Sequence, residues 1–318
     1  MHERVDAVLP LTAADSERAA ILFRSLDAFF EPLRTCYVVA PDGDVASVRA
    51  RVPRNRYEVV AESELVPEIG WFRTSARVRA KLHLAGPPFH GWFVQQLVKL
   101  AVAERVATPF YLTLDADVIC VRPTRYRDLV VEGRALAQTS PPNHPEWNDD
   151  AERVLGLPRS GRQWGVTPAL ISTHAVCALA RHLESRVPPH LRRAGRRVPG
   201  PMRDVVSSWR SFLFRSLPWT EYALYFTYLE QTGAFDRHHV HAGFDAIYSD
   251  CVWMEGQFRD WDPAAAVSPF TVVQSATRIP PARVWSKVEP LLPRSATNRS
   301  TALPSGRRSD PRSLPSAL

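Results

Sequence analysis

The sequence predicts an α/β fold, in which helices flank one mixed, mostly parallel central sheet, and three observations support this class. Residues 5–41 contain an apolar run, a segment with helical apolar spacing and a second apolar run, in that order. A third run rich in β-branched residues occupies 57–61, and a longer apolar stretch lies at 108–123. Strands that alternate with helices are typical of parallel sheets, because a crossover must carry the chain back before the next parallel strand begins.

The first repeat of this pattern places a polar residue at the edge of the sheet. A strand over 5–11 ends at Thr12, and a helix over 13–30 follows, which Asp15 or Ser16 could cap. Thr12 would lie at the carboxyl edge of a parallel sheet, where open α/β folds bind ligands, although helix capping explains it equally well. No Gly-x-Gly-x-x-Gly sequence follows the strand, which disfavours a dinucleotide site of the Rossmann type.

Two carboxylates interrupt the apolar stretch at 108–123. Asp115 and Asp117 are two residues apart, so on a regular strand their side chains leave the same face. Like charges this close are unfavourable unless a cation lies between them or one carboxyl group is protonated. A divalent metal resolves the conflict, and Mg²⁺ or Mn²⁺ fits better than zinc because no Cys or His belongs to the cluster. The alternative is a pair of solvated acids in a loop where the strand ends.

A lysine lies in an apolar helix just before this stretch. Lys99 is flanked by Val98 and Leu100. An ammonium group among apolar residues needs an anionic partner, or its side chain must extend until the charge reaches solvent. Both outcomes are open from the sequence.

The chain beyond the two carboxylates predicts two more strands with a polar segment between them. Residues 135–139 and 165–172 have the composition of strands, and a helix over 175–183 follows the second. The segment 140–150 is polar and proline-rich and contains Trp147. This composition suits a loop over a binding cleft.

A later apolar helix begins with a carboxylate. Pro218 precedes the predicted start, and Thr220 is its expected cap. The residues that follow are apolar on all faces, which predicts a largely buried helix. Glu221 then occupies the first turn, where a charge–dipole contact alone would explain a carboxylate.

The net charge of +7 is unevenly distributed. Residues 181–203 carry +6 and residues 290–318 carry +4, so the rest of the chain is acidic at −3. The body of the protein is therefore not expected to bind nucleic acid. The arginine-rich segment 187–203 is predicted to be a solvated surface loop, with an anionic acceptor or lipid headgroups as alternative ligands.

The remaining composition places the chain among ordinary globular proteins. Its four cysteines are widely separated and show no Cys-x-x-Cys spacing, so neither a zinc site nor a disulfide is predicted. No apolar run reaches the roughly 20 residues that span a bilayer, and the N-terminus lacks the pattern of a signal peptide. We expect a cytoplasmic protein, with peripheral attachment at the inner membrane face as an alternative.

The segment 91–129 also resembles a known superfamily. Its Gln95-Gln96-Leu97-Val98-Lys99-Leu100 helix, its Phe110-Tyr111-Leu112-Thr113-Leu114-Asp115-Ala116-Asp117 stretch and its Arg122-Pro123 pair are similar to the central part of GT-A-fold nucleotide-sugar glycosyltransferases. The likeness extends to the glycogenin-like retaining enzymes and to an uncharacterised bacterial branch. It implies a GT-A-like sheet and an Asp-x-Asp motif that chelates Mn²⁺ or Mg²⁺, which grips the diphosphate of a UDP- or GDP-sugar.

The resemblance implies roles for individual residues. Glu221 would face the acceptor, as the base of an inverting enzyme or as a positioning group. Five residues are expected to bind the donor: Thr12, Gln96, Lys99, Ala116 and Gly165.

A third metal ligand is harder to assign. Many GT-A enzymes supply a late histidine, expected here in the last core strand at 270–275, which contains none. Gln274, water or a histidine from 239–241 could replace it.

We therefore predict one GT-A-like domain over residues 1–289 and a disordered Ser/Pro/Arg-rich tail over 290–318. The predicted activity is metal-dependent transfer of a sugar, of hexosyltransferase type, from a nucleotide-diphosphate donor to a hydroxyl group of a glycan, lipid or small molecule. Nucleotidyl or phosphoryl transfer is the alternative reaction, and a non-catalytic sugar- or polyanion-binding module is the alternative without chemistry. Neither the donor, the acceptor nor the stereochemistry follows from the sequence.

Overall fold

The structure is a computed structural model that describes residues 3–81, 91–198 and 202–293. Its strands are β1 (Val5–Pro10), β2 (Leu33–Ala40), β3 (Tyr57–Ala61), β4 (Phe110–Thr113), β5 (Val118–Cys120), β6 (Val130–Val131), β7 (Arg134–Gln138), β8 (Ala169–Ser172), β9 (His239–Ala242) and β10 (Phe270–Val272). Its helices are α1 (Ser16–Phe29), α2 (Val45–Arg49), α3 (Glu62–Leu65), α4 (Ile69–Lys81), α5 (Gly91–Ala101), α6 (Pro145–Leu155), α7 (Thr173–Arg186), α8 (Pro189–Arg197), α9 (Met202–Ser207), α10 (Trp209–Arg215), α11 (Glu221–Gln231), α12 (Phe235–His238) and α13 (Pro281–Val288).

The central sheet has the strand order β3-β2-β1-β4-β8. Neighbouring strands run parallel from β3 to β4, and β8 joins the edge antiparallel to β4. The predicted mixed, mostly parallel α/β sheet is confirmed, including the opening β1-α1-β2 unit. Two smaller sheets extend it, one of β5 with β10 and one of β6, β7 and β9.

Apolar cores cover both faces of the sheet, and the alternation of side chains along β1 shows why. Val8 packs into a cluster that includes residues of α5, α7 and α11, whereas Ala7 and Leu9 pack into the cluster beneath α1. Because successive residues of a strand face opposite sides, a strand covered on both faces is apolar at most positions, and the one buried charge of β1, Asp6, is paired with Arg34 at 2.7 Å. Burial of this surface contributes about 25 cal/mol per Å² and is the main force that holds the layers together.

The sequence suggested that the apolar stretch at 108–123 is one continuous strand, and the structure shows that it is not. It forms β4 and β5, which belong to different sheets, and Asp115 and Asp117 lie in the turn between them. Both side chains are half-buried. Since two carboxylates in the middle of a buried strand would lose most of their hydration, the chain places them where the central sheet ends.

Two segments predicted to be loops are helical. Residues 145–155 form α6, and most of the arginine-rich segment 187–203 forms α8 and the start of α9. The start of α11 is as predicted, because Thr220 caps it by accepting a hydrogen bond from the backbone N–H of Ala223.

The C-terminal end of the described chain reaches into the segment predicted to be a disordered tail. Leu292, inside the predicted tail, is buried against the core, and the tail beyond 293 lies outside the described residues.

In the described parts of the chain, no helix combines the length and apolar character needed to span a bilayer.

Candidate active site

A cavity of about 730 Å³ lies at the carboxyl end of β4. The β4–β5 turn supplies Asp115 and Asp117, α5 supplies Lys99, and the first turn of α11 supplies Glu221. The fold thus brings together four charged residues that the sequence singled out.

Lys99 is the buried centre of this group, since its side chain is only 4% exposed. Its ammonium nitrogen Nζ lies 2.9 Å from Asp115 Oδ1 and 3.2 Å from Glu221 Oε1, and it donates to the hydroxyl of Thr167 at 2.8 Å. Burial lowers the pKa of Lys99, but the charge of Asp115 and its other acidic neighbours outweigh this and hold the pKa well above its ordinary value. Lys99 is therefore a cation with all three protons engaged, and solvent exposure of its charge is excluded.

Glu221 is held on two sides. Its backbone N–H donates to the side-chain oxygen of Gln96 at 3.0 Å, which fixes the start of α11 against α5. Burial raises the pKa of the Glu221 carboxyl group, and the neighbouring Lys99 ammonium opposes that rise. The carboxylate borders the cavity and is also tied to the same cation as Asp115.

Asp117 has no such cation at hydrogen-bonding distance in the described part of the chain. Its Oδ2 accepts from the backbone N–H of Ser275 at 2.9 Å. Burial, followed by the negative charge of Asp115, raises the pKa of the Asp117 carboxyl group. The Arg18 guanidinium, which donates to the carbonyl oxygen of Val273, opposes this rise only from beyond hydrogen-bonding distance, so a bound cation would supply the direct positive partner of an anionic Asp117.

The donor set fits a hard divalent ion of the Mg²⁺ or Mn²⁺ type. Gln274 also lines the cavity, and its backbone neighbours Val273 and Ser275 both donate to Asp117, at 3.0 and 2.9 Å. Two carboxylates and an amide oxygen are ligands that such ions accept. No group of three or more His, Cys, Asp or Glu side chains within the described ranges is placed to hold a metal.

The histidines considered as a third ligand lie elsewhere. His239 is buried between the hydroxyl of Tyr225, at 2.7 Å, and the carbonyl oxygen of Ala135, at 3.2 Å. His241 stacks on Trp164 and Phe235. Neither histidine lines the cavity, so a ligand from 239–241 is ruled out and Gln274 or water is left.

The predicted donor-binding residues separate into two groups. Lys99 borders the cavity, and Ala116 lies half-buried in the turn between the two aspartates. Of the five, only Lys99 lines the cavity. Thr12 donates to Asp15, Gln96 supports α11, and Gly165 packs so closely that an added Cβ would lie 3.0 Å from the carbonyl oxygen of Gln138.

A hydroxyl network under the cavity was not predicted. The phenol oxygen of Tyr222 lies 2.7 Å from the hydroxyl oxygens of both Thr113 and Thr167. Since Thr167 also accepts from Lys99, this network joins β4, the chain before β8 and α11 beneath the charged groups. The only available signal was the position of Tyr222 directly after Glu221.

The segment between β9 and β10 forms one wall of the cavity, which no pattern in the sequence indicated. It contributes three aromatic side chains, Phe244, Tyr248 and Trp253, and two carboxylates, Asp245 and Asp250. The predicted loop over the cleft is confirmed only for 140–144, because α6 begins at 145, although Trp147 on that helix also lines the cavity.

Comparisons with known proteins give a family but no established activity. The model of a family described as "Family of unknown function (DUF6492)" matches residues 2–296. No curated protein matches the sequence at a significant level.

Solved structures that superpose on this chain include glycosyltransferases. A galactosyltransferase, LgtC, in complex with donor and acceptor sugar analogues is 10% identical, with a TM-score of 0.46 over 92% of this chain and 99% of that one. Mouse xyloside xylosyltransferase 1 in its apo form is 12% identical, with a TM-score of 0.43 over 86% of this chain and 100% of that one. An active-site mutant of LgtC is 10% identical, with a TM-score of 0.45 over 92% and 98% of the two chains. Likeness of this degree carries no inference about the substrate, so any such inference has to come from the residues of the cavity.

Proposed function

The chain belongs to the DUF6492 family, whose function is unknown, and we propose that it is a metal-dependent glycosyltransferase of the GT-A type. The donor would be a nucleotide-diphosphate sugar and the acceptor a hydroxyl group. In the reaction, the bond from the anomeric carbon to the diphosphate oxygen breaks, the bond to the acceptor oxygen forms, and the hydroxyl proton is released.

One observation carries this proposal: the charge balance of the cavity. Its described lining contains one ammonium group, that of Lys99, and no arginine. It contains five carboxylates, which belong to Asp115, Asp117, Glu221, Asp245 and Asp250. A diphosphate could not enter such a site alone, because each like-charge contact is unfavourable and Lys99 is already neutralised by Asp115 and Glu221. A divalent cation at Asp117 and Asp115 removes this obstacle.

Asp115, Asp117 and Gln274 are the residues that would hold Mn²⁺ or Mg²⁺. When bound, the ion would act as a Lewis acid that neutralises charge on the departing diphosphate. Lys99 would orient Asp115 toward the ion and keep Glu221 anionic, so we assign it a positioning role in place of a direct donor contact. Glu221 would orient the acceptor hydroxyl, and in an inverting reaction it would take the proton.

The same charge balance bears on the alternatives. Polyanion binding in this cavity would need several accessible cations, and the described lining offers one that is buried and paired, since the exposed arginines of α8 lie outside the cavity. Nucleotidyl or phosphoryl transfer also uses paired aspartates and Mg²⁺, and product analysis separates it, because it consumes a nucleoside triphosphate whereas glycosyl transfer releases a nucleoside diphosphate.

A thermal-shift screen of UDP- and GDP-sugars, with and without Mn²⁺, tests the proposal. We expect at least one nucleotide sugar to raise the melting temperature only when Mn²⁺ is present, and to yield a nucleoside diphosphate on incubation. Asp117→Asn should abolish both effects without unfolding the protein. Asp260→Asn, which changes an exposed aspartate outside the cavity, should abolish neither. Stabilisation by polyanions alone, or full activity of Asp117→Asn, would contradict the proposal.

We also propose that the protein is cytoplasmic and associates with an anionic membrane surface through α8. Four arginines of this helix, Arg192, Arg193, Arg196 and Arg197, are exposed, and none forms an ion pair with an acidic residue in the described chain. Basic residues near an anionic bilayer contribute about 1 kcal/mol each to binding, so four on one short helix support reversible attachment.

A further inference from the structure

Three of the four exposed tryptophan and phenylalanine side chains in the described chain line the same cavity. Trp92 is 47% exposed, Phe244 58% and Trp253 42%, and only Trp71 lies elsewhere. Scattered exposed apolar residues need no explanation, but aromatic side chains gathered around one cavity mark a surface that a ligand covers. Flat aromatic faces suit the apolar faces of sugar rings, whose hydroxyl groups point outward.

The wall that carries Phe244 and Trp253 is held in place before any ligand binds. The buried side chain of Gln138 accepts hydrogen bonds from the backbone N–H groups of Ile247 and Tyr248, at 2.7 and 3.1 Å, and donates to the carbonyl oxygens of Phe244 and Tyr248. The backbone N–H of Trp253 donates to the side chain of Gln257 at 2.7 Å. Because these bonds fix the backbone, binding loses little conformational entropy there.

The same segment lies beside the metal-binding end of the cavity. The backbone N–H of Gln274 donates to the carbonyl oxygen of Val252 at 3.0 Å, and that of Val252 donates to the carbonyl oxygen of Val272 at 2.8 Å. The aromatic wall is therefore anchored to the end of β10 and to Gln274, two residues beyond it. An acceptor that rests on this wall would lie beside Gln274, one of the residues proposed to hold the metal.

Two unpaired carboxylates accompany the aromatic side chains. Asp245 and Asp250 are both exposed and line the cavity, and no described Lys or Arg forms an ion pair with either. Asp250 has a backbone φ of 52°, in the left-handed region that non-glycine residues rarely adopt, and the hydroxyl of Ser249 donates to its Oδ2 at 2.8 Å.

We propose that Phe244, Asp245, Asp250 and Trp253 form the acceptor subsite, and that the acceptor is a saccharide that carries an amino group. Transfer of a sugar to this acceptor rests on the proposed function, whereas binding of the acceptor to the subsite does not. The aromatic side chains stack on the sugar, and the two carboxylates bind its ammonium group and repel carboxylated or phosphorylated saccharides. The amino group serves recognition, and a neighbouring hydroxyl group receives the transferred sugar.

Binding without a donor tests this directly, by isothermal titration of the full chain with three tetrasaccharides. The probes are a glucosamine tetramer, a neutral glucose tetramer with the same linkage and a galacturonate tetramer. We expect the amino tetramer to bind about five- to tenfold more tightly than the neutral one, as two partly exposed charge pairs allow. The anionic tetramer should not bind.

Variants separate the two contributions. Asp245→Asn with Asp250→Asn should bring the amino and neutral tetramers to equal affinity, and Trp253→Ala should weaken both by about three- to tenfold through loss of stacking. Trp71→Ala and Asp260→Asn are the matched controls outside the cavity and should change neither affinity.

Three outcomes would overturn the inference. The first is equal affinity of the unmodified protein for the amino and neutral tetramers, and the second is a preference for the amino tetramer that survives in the double asparagine variant. The third is that Asp250→Asn loses the Mn²⁺-dependent rise in melting temperature with a nucleotide sugar, which would make Asp250 a metal ligand. Failure of the proposed function is distinguishable, because it would remove the nucleotide-sugar shift while the preference for amino saccharides persists.

Discussion

At the scale of single residues, the site depends on one buried cation shared by two acids. Lys99 neutralises Asp115, which is half exposed, and Glu221, which is almost fully buried. A buried ion pair contributes little net stability relative to an apolar replacement of the whole pair, but removal of one partner leaves an uncompensated charge. Substitution of Lys99 should therefore affect folding as well as activity.

Lys99→Met is expected to lower the free energy of unfolding by about 2 to 3 kcal/mol and to abolish transfer, because Glu221 is then buried without its cation. Urea denaturation followed by circular dichroism measures the first effect. Lys81→Met, which changes an exposed lysine at the end of α4, should stay within about 0.5 kcal/mol of the unmodified protein.

The double variant Lys99→Met with Glu221→Gln distinguishes charge from packing. Removal of the buried negative charge should restore part of the lost stability, while transfer stays absent. If the double variant is less stable than the single one, the Lys99–Glu221 contact is not the cause of the destabilisation.

At the scale of secondary-structure elements, three parts of the fold meet at one neutral histidine. His239 opens β9, accepts a hydrogen bond from Tyr225 of α11 and donates one to the carbonyl oxygen of Ala135 in β7. Burial lowers the pKa of His239 to about 3. Both ring nitrogens are satisfied only in the neutral form, so protonation must disrupt this junction.

The sign of the pH dependence follows from that shift. The unfolded chain binds a proton at His239 near pH 6.5 whereas the folded chain does not until about pH 3, so this residue makes the free energy of unfolding fall as the pH drops through that window. The loss is about 1.4 kcal/mol for each pH unit. His239→Asn should be less stable at pH 7.5 and show a shallower decline between pH 6.5 and 5.

A buried carboxyl group acts in the opposite direction, so the difference in slope between the unmodified protein and His239→Asn is the quantity to measure. The raised pKa of Glu221, caused by burial, stabilises the fold as the pH falls toward it. His190→Asn alters an exposed histidine of α8 and should leave the slope unchanged. Parallel slopes for the unmodified protein and His239→Asn would exclude His239 as the source.

The basic helix α8 is expected to affect location without affecting the site. A variant with Arg192, Arg193, Arg196 and Arg197 changed to Gln should lose binding to phosphatidylglycerol-containing vesicles in a sedimentation assay and keep its activity. Binding of the unmodified protein should weaken with added salt, as exposed charges are screened. Arg54→Gln with Arg259→Gln removes exposed charge elsewhere and should bind normally. Equal binding to neutral vesicles would refute the proposal.

At the scale of the whole molecule, the fold and the metal should be separable. Three apolar clusters hold the sheet, the helices and the C-terminal part together, and Asp115 and Asp117 already have protein partners in Lys99 and the backbone N–H of Ser275. Treatment with EDTA should therefore abolish release of nucleoside diphosphate but shift the melting temperature of the ligand-free protein very little. Added Mn²⁺ should restore activity. A large loss of stability on chelation would indicate a structural metal instead.

The sequence was sufficient for features that depend on neighbours along the chain. Strand and helix periodicity predicted the α/β sheet, Thr220 predicted the start of α11, and the spacing of Asp115 and Asp117 directed attention to the turn after β4. It failed where a local pattern had two outcomes. Asp-x-Asp in an apolar run suggested one continuous strand, and the hydrophilic composition of 187–203 suggested a loop, because composition alone does not reveal that a solvated segment can be helical.

Contacts between distant parts of the chain were decided only by the tertiary structure. The oxygen of Gln96 meets the N–H of Glu221 across 125 positions, and Lys99 reaches Thr167 across 68. The aromatic wall at 244–253 enters the cavity because Gln138 binds it, which no spacing in the sequence could indicate. Periodicity and capping are properties of one element and are encoded within a few residues. The composition of a cavity depends on how several elements pack, and packing is settled by burial of the whole apolar surface at once.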